Sequence, residues 1–521
     1  MERLAWGHGA VPGRREVPEV RFETRELRES EMPSVVADPL PGESSDWAFI
    51  GLLAFTAVLF FRPQDQIPAL AALHLAEVSA LVGLTAMAAK RLARGLPVFR
   101  LTPEVVGLLA FGAVLVGTVP FSFWPGGSVN VIQNLYGKVV LITILIINSI
   151  NSPRRLQHFS RLIVLSLAYL SVRAVFDYLR GVNLIEHGRV AGAVSGIFGN
   201  PNDLAMNMVS FLPFPILTAM VVSRLRRGAP SSAPGDSAPN GPAGQQAAAA
   251  APGRRSRFRR DPGWFTSLLY AGCAGAMFLT VVFTKSRSGF LGLLAMLVVL
   301  VFYGRQLRRG FAVAAIAGGL LAIPALPSSF WDRMAGITDP AKDDTGSREA
   351  RRTVMKEAWW VFLERPLTGI GAGQFQNYNP PWKKERWRQS HNLLLQVAAE
   401  TGIFGITAFV FLIVVGFRAA LSTRRTLTRL ARAPDVQASP GVERDVRVLR
   451  LHTTALVAGL TGWFVCSLFS SIAYNWTFYY LIGLAAVARD LTRPIAARVP
   501  AAPRARAAEP MTPAPAAWAR G

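Results

Sequence analysis

In the stretch RQSHNLLLQVAAETGIFG (388–405) a histidine, His391, stands at the mouth of an apolar run long enough to enter a membrane. A histidine ring ionises near 6.5, so a neutral imidazole is available at ordinary pH to take a proton from a hydroxyl group. The plainer alternative is a helix-start residue whose ring is satisfied by headgroup water. Arginines stand in comparable places. Arg189 lies in HGRVAGAVSGIFGNPNDLA (187–205), and Arg287 lies in FTKSRSGF (283–290) between two apolar runs. Arg348, Arg351 and Arg352 lie in TGSREARRTVMKEAWWVFLERP (345–366). A guanidinium group stays protonated and bonds two phosphate oxygens at once, so such a set could meet an anion whose charge grows during a reaction. Each of these arginines could equally be a cation anchored among lipid headgroups, and a basic helix face is usually just solvated.

The elements that must position these residues are membrane helices. The chain of 521 residues is 51% hydrophobic and only 17% charged, and its apolar residues come in blocks of about 15 to 23. A β-barrel would alternate polar and apolar residues, which these blocks do not. The fold class expected is all-α, a polytopic bundle of about twelve spans near 47–61, 67–88, 104–123, 132–150, 156–178, 203–223, 263–283, 289–303, 310–325, 393–416, 451–470 and 475–488. The first forty-odd residues are polar and charged, and no cleavable signal peptide is visible there. Cys273 and Cys466 both sit inside apolar runs and read as core residues.

The net charge of +24 could suggest nucleic acid, but no aromatic-basic module accompanies the arginines, so no nucleic-acid partner is expected. With the amino terminus in the cytoplasm, the inner connections are 89–100, 151–161, 224–262, 304–310, 417–450 and the tail, and all are rich in arginine. The short outer connections 121–130 and 471–475 are nearly free of basic residues, which is the positive-inside pattern. This implies an inner-membrane, multi-pass protein with both termini cytoplasmic. The segments 1–46, 224–262 and 489–521 read as disordered. The long outer loop 327–391 contains a helix ended by Pro366, with Trp359, Trp360 and Phe362 suited to a membrane surface. That loop places His391, Arg189 and Arg287 on one side. Asn200-Pro201-Asn202-Asp203 reads as a helix cap in which Asn202 or Asp203 accepts from the first free amides. The run LTGIGAGQF (367–375) reads as a bend returning the loop toward His391. Lys138 and Arg173, in or near spans, should face the bundle interior or an interface.

Four of these pieces occur in order: R-x-A-G with F-G-N-P-N-x-L-A, then S-R-S-G, then an arginine helix followed by P-L-T-G-I-G-A-G-Q-F, then H-N-x-x-L-Q-x-x-x-E-T-G-I-x-G. Together they resemble the O-antigen ligase family, which includes O-antigen ligases, O-antigen and exopolysaccharide polymerases and some protein O-oligosaccharyltransferases. The resemblance covers roughly Arg189 to Gly405. It implies metal-independent, inverting transfer of a glycan from an undecaprenyl-diphosphate carrier to a glycan or lipid acceptor hydroxyl, without a cofactor. It further implies His391 as general base, Arg189, Arg287 and Arg351 as diphosphate ligands, and Asn200, Asn202 and Asn392 as structural or glycan-contacting residues. Family members often carry Trp four residues after the loop arginine, where this chain has Met355, so Arg348 and Arg352 compete with Arg351. Other polysaccharide assembly and export proteins would be partners. The rival readings are a transporter or flippase of lipid-linked glycans, and a non-catalytic scaffold of an export complex. A transporter would place its polar residues near mid-membrane.

Overall fold

The computed structural model describes residues 46–194, 196–225, 263–304, 331, 334–335 and 347–498. Nine helices among them are long and apolar enough to cross a membrane, and Arg287–Tyr303 is a shorter apolar helix. The protein is a multi-pass helical membrane bundle. In chain order the main helices are α1 (Trp47–Phe61), α2 (Leu75–Leu92), α3 (Pro103–Thr118), α4 (Pro125–Ser149), α5 (Pro153–Leu179), α6 (Pro201–Phe211) and α7 (Pro213–Leu225). There follow α8 (Gly263–Phe283), α9 (Arg287–Gly304), α10 (Ser347–Glu364), α11 (Leu393–Leu430), α12 (Pro440–Ser467) and α13 (Trp476–Arg498). A two-stranded ribbon pairs β1 (Leu184–Ile185) with β2 (Arg189–Val190).

Helix starts follow a repeated local chemistry. Thr102-Pro103, Ser152-Pro153 and Asn200-Pro201 each place a capping side chain before a proline, and each cap accepts a hydrogen bond from an amide of the first turn. Proline costs nothing at the first helical position because its missing N–H would have no partner there, and the cap satisfies one of the amides that follow. Helix packing then depends on small residues. A Cβ added to Gly51 of α1 would sit 2.6 Å from the Gly83 Cα of α2, so these backbones touch. At the centre Trp463 stacks on Phe478 with ring centroids 4.3 Å apart.

Several boundaries differ from those expected. α4 begins at Pro125, inside the anticipated outer connection, and passes through a π-helical turn at Ile132–Tyr136. α11 does not stop near 416 but continues to Leu430, and α12 starts at Pro440, so the anticipated inner connection 417–450 is mostly helix. Amphipathic extensions of this kind are polar enough to leave the hydrocarbon yet still pack on a neighbour, which a hydropathy window cannot register. For the same reason α13 runs on to Arg498, past the point where a disordered tail was expected. The anticipated span 310–325 and most of the segments 1–46, 224–262 and 489–521 lie outside the described residues. Cys273 and Cys466 are buried and free.

The end of the bundle away from His391 is tied by ion pairs. Glu104 is fully buried and takes a two-pronged bond from Arg489, at 2.6 and 2.9 Å. Asp490 pairs with Arg100 at 3.4 Å, and Asp46 with Lys90 at 3.3 Å and with Arg155. Glu104→Gln leaves the Arg489 guanidinium facing a neutral group and should cost about 3 kcal/mol of stability, as breaking one partner of a buried pair does. Replacing both, Glu104→Met with Arg489→Met, should recover most of that loss. Thermal unfolding of the purified protein in detergent measures both, and equal melting of Glu104→Gln and wild type would show that the pair contributes nothing.

Candidate functional site

Arg189 is carried on β2 and is almost wholly buried. Its Nε donates to the Thr284 carbonyl at 3.1 Å and its Nη2 donates to Asn202 Oδ1 at 2.8 Å. The same Asn202 oxygen accepts from Ser286 Oγ at 2.7 Å. Ser286 in turn caps α9, accepting from the Gly289 amide at 3.2 Å. Asn202 therefore does not cap its own helix. That task falls to Asn200, whose Oδ1 accepts from the Asn202 amide at 2.8 Å, while the Asn202 side chain clamps Arg189 to the α8–α9 turn. Arg287, half-buried, follows Ser286 directly in that turn. Lys285, not among the residues expected to carry the site, is buried there with a left-handed backbone (φ 46°) and its Nζ 5.9 Å from the Tyr178 ring centroid. Arg173 is half-buried on α5, and Lys138 pairs with Glu77 at 3.2 Å.

His391 lies just before α11, at the same end of the bundle. Its backbone is left-handed (φ 52°), a conformation that non-glycine residues seldom adopt outside sites held by their surroundings. The holding groups are on the α12–α13 connection. Ser471 Oγ accepts from the His391 amide at 3.0 Å and lies 2.8 Å from Ser390 Oγ. Asn392 caps α11 by accepting from the Leu395 amide at 3.0 Å, and its Nδ2 donates to the Leu468 carbonyl at 3.0 Å. Its side chain is thus occupied in fixing the helix start. Burial of the imidazole, together with the cations Arg351 and Arg388 beside it, pushes its pKa down to about 4. The ring is therefore neutral at ordinary pH. Arg351 lies beside His391, Arg352 on the next position of α10 is exposed, and the side chain of Arg348 lies outside the described residues.

The glycine-rich run serves a different purpose from a simple bend. At Gly402 α11 leaves helical geometry (φ 66°, ψ −164°). The carbonyls freed by that break accept from the loop: Ala399 from the Ile370 amide at 3.0 Å, and Glu400 from the Gly371 amide at 2.9 Å. In return the Ile403 amide donates to the Pro366 carbonyl at 2.7 Å. The Glu400 side chain, buried, accepts from the Gly373 amide at 2.8 Å and from the Tyr474 hydroxyl at 2.9 Å. Glycine is required at the contacts. A Cβ at Gly402 would fall 2.4 Å from the Leu367 carbonyl oxygen, and one at Gly371 would meet Ser122 Oγ. α10 seals this arrangement by packing Val354, Ala358 and Val361 on Ile370, Phe375 and Ala399, while Trp359 and Trp360 stay exposed.

A cavity of about 470 Å³ opens between these groups, lined among others by Arg62, Asp203, Ser390, Glu400, Ser471 and Trp476. Asp203 follows Asn202 in the chain and Ser390 precedes His391, so the cavity is lined by chain neighbours of the arginine clamp and of the imidazole. Glu400, Tyr474 and Ser471 were missed in the sequence because each is an ordinary residue whose role depends on a partner more than seventy positions away or on a helix break. The E-T-G sequence was the one available signal. Among the described residues, no group of three or more His, Cys, Asp or Glu side chains gathers to hold a metal ion.

Asn202→Ala removes the acceptor shared by Arg189 and Ser286 and should lower stability by about 1–3 kcal/mol, the cost of stranding buried donors. Asn202→Asp keeps an acceptor for both donors and should melt close to wild type. If the alanine variant melts like wild type, the clamp is not an organising contact.

Residues 272–410 match the profile of a family described as O-antigen ligase. No curated protein sequence matches the chain significantly. The matched stretch contains Arg287, Arg351, the glycine-rich run, His391 and Glu400. Arg189 and Asn202 precede it, and it is the folded chain that joins them to it through Thr284 and Ser286. The stretch 272–410 is therefore similar to the O-antigen ligase family, and it lies within a multi-pass helical bundle.

Proposed function

We propose that this protein transfers a glycan from undecaprenyl diphosphate to an acceptor hydroxyl, at the end of the bundle that holds His391 and the arginine clamp. The observation that carries the reading is the neutral His391 ring beside Arg351 and Arg388, at the same end of the bundle as the Arg189–Asn202 clamp, with a cavity lined by chain neighbours of both. A base and a set of cations at one site suit a displacement at a sugar carbon. The acceptor oxygen attacks the anomeric carbon and passes its proton to the imidazole. The bond between that carbon and the phosphate oxygen breaks, and the diphosphate leaves with the electron pair. A single displacement inverts the anomeric configuration. Arg189, Arg287 and Arg351 meet the growing negative charge, where lowered dielectric makes each contact count.

No divalent ion enters this scheme, and the arginines take the part an ion would play. The sequence's arginine distribution supports placing the chamber on the outer face of the inner membrane, with both termini cytoplasmic. Crowding of the unusual residues at one end favours chemistry there over transport, which would need them near the middle.

The ring's low pKa sets the pH dependence. In the free protein His391 becomes protonated only as pH falls through about 4, so kcat/KM should be flat around neutrality and fall in that acid range. A bound diphosphate brings negative charge to the ring and favours its protonated form, so the acid limb of kcat should lie at higher pH. Arg351→Gln removes one of the depressing cations and should move the limb of kcat/KM upward. An unmoved limb would separate Arg351 from the imidazole.

The direct test is reconstitution of the purified protein with an undecaprenyl-diphosphate oligosaccharide, with and without chelator. His391→Ala should slow transfer by about 10²–10⁴-fold. Donor binding should be largely kept, lipid-linked glycan should accumulate on the outer side in cells, and chelator should change nothing. Accumulation on the inner side would indicate transport instead. Unchanged polymer production in His391→Ala cells would indicate a scaffold.

A further inference from the structure

A second cavity, of about 410 Å³, lies at the far end of the bundle from His391. It is bounded by the beginning of α5 (Gln157, Ser160, Arg161), the beginning of α12 (Glu443, Arg444, Arg447), Tyr270 of α8 and Phe214 of α7. α5 and α12 start at this end and finish at the other, where α5 leads into the Arg189 ribbon and α12 leads to Ser471. The pocket is therefore remote from the proposed reaction.

Three arginines and one carboxylate line it, and Arg447 is the one that Glu443 pairs with. Arg161 lies beside Tyr270 and His452, and Arg444 faces half-buried Asp445, which it shares with Arg154. The arginines thus outnumber the acids that face them. Ser160 adds an independent sign. It is 6% exposed, lines the cavity, and its Oγ is buried without a hydrogen-bond partner, although a helical serine can normally bond its own backbone. The walls deeper in are apolar, formed by Val164, Phe214 and Leu451. On α8, Trp264 and Phe265 stand 51% and 55% exposed less than two turns before Tyr270, the placement of aromatic side chains at the level of lipid headgroups.

We infer that this pocket binds the headgroup of an anionic phospholipid, with the phosphate at Arg161 and Arg444, a headgroup or glycerol oxygen at Ser160, and the acyl chains against the apolar wall. A basic recess between membrane helices at headgroup depth is the site such lipids use. A free phosphate would satisfy the arginines but leave the apolar wall and the aromatic pair without a role.

Native mass spectrometry of the full chain, released from nanodiscs of phosphatidylglycerol and phosphatidylcholine, tests this. Arg161 and Arg444 are both exposed, so Arg161→Gln with Arg444→Gln should leave the fold intact. Wild type should retain one phosphatidylglycerol, and the double variant should retain it about twenty-five-fold less tightly, from about a five-fold loss for each arginine near the membrane surface. Arg425→Gln paired with Arg429→Gln, which removes equal charge from exposed positions on α11 outside the pocket, should retain it like wild type. Ser160→Leu should also lose the lipid, because the added side chain fills the cavity. Equal retention by the double variant and wild type would overturn the proposal. Displacement of the lipid by millimolar inorganic phosphate would overturn it too, by assigning the pocket to a soluble anion.

Discussion

Inside a bilayer a backbone amide or carbonyl has no water to turn to, so a helix can break only where other protein groups take over its hydrogen bonds. The break in α11 at Gly402 obeys that constraint. The loop 366–373 supplies amides to the carbonyls of Ala399 and Glu400 and a carbonyl to the amide of Ile403. Neither partner is stable in this form alone. The broken helix needs the loop, and the loop, with three glycines at positive φ, needs the broken helix to offset its ordering. The Glu400 side chain extends the joint to Gly373 and Tyr474, and so to the α12–α13 connection whose Ser471 holds His391.

The histidine is accordingly the last member of a chain of constraints rather than an isolated side chain at a helix start. Its left-handed backbone, its half-buried ring and its nearby cations all follow from how the loop, α10 and the α12–α13 connection meet. The arginine clamp is built by the same logic from other parts. One amide oxygen, that of Asn202, joins a ribbon, a helix start and a helix hairpin. Both assemblies use short-range polar contacts at one end of the bundle, where the apolar packing of the middle gives way and polar groups can be satisfied.

Charge fixes the frame at the end away from His391, where Glu104 pairs with Arg489, Asp490 with Arg100, and Asp46 with Lys90 and Arg155. These pairs join distant segments and fix the bundle's frame. At the other end Arg189 donates to a backbone carbonyl and to the Asn202 amide oxygen, which fixes the direction of its guanidinium.

Much was legible from composition and local chemistry. The helical membrane class, most spans and the exposed tryptophans of α10 depend on neighbours in the chain, and a sequence displays neighbours. The motif around His391 was legible for the same reason. What only the tertiary structure decided depends on residues far apart in sequence. It chose Asn200 over Asn202 as the cap because Asn202 had a stronger claim from Arg189 and Ser286. It set Arg351 rather than Arg352 beside His391 because α10 turns one face to the loop, and it made Glu400, a lone acid in an apolar run, the junction between a helix break and a glycine loop. Periodicity and hydropathy describe what a segment prefers by itself. Which of several equivalent polar groups is used is settled only when the partner arrives from elsewhere in the chain and one pairing excludes the others.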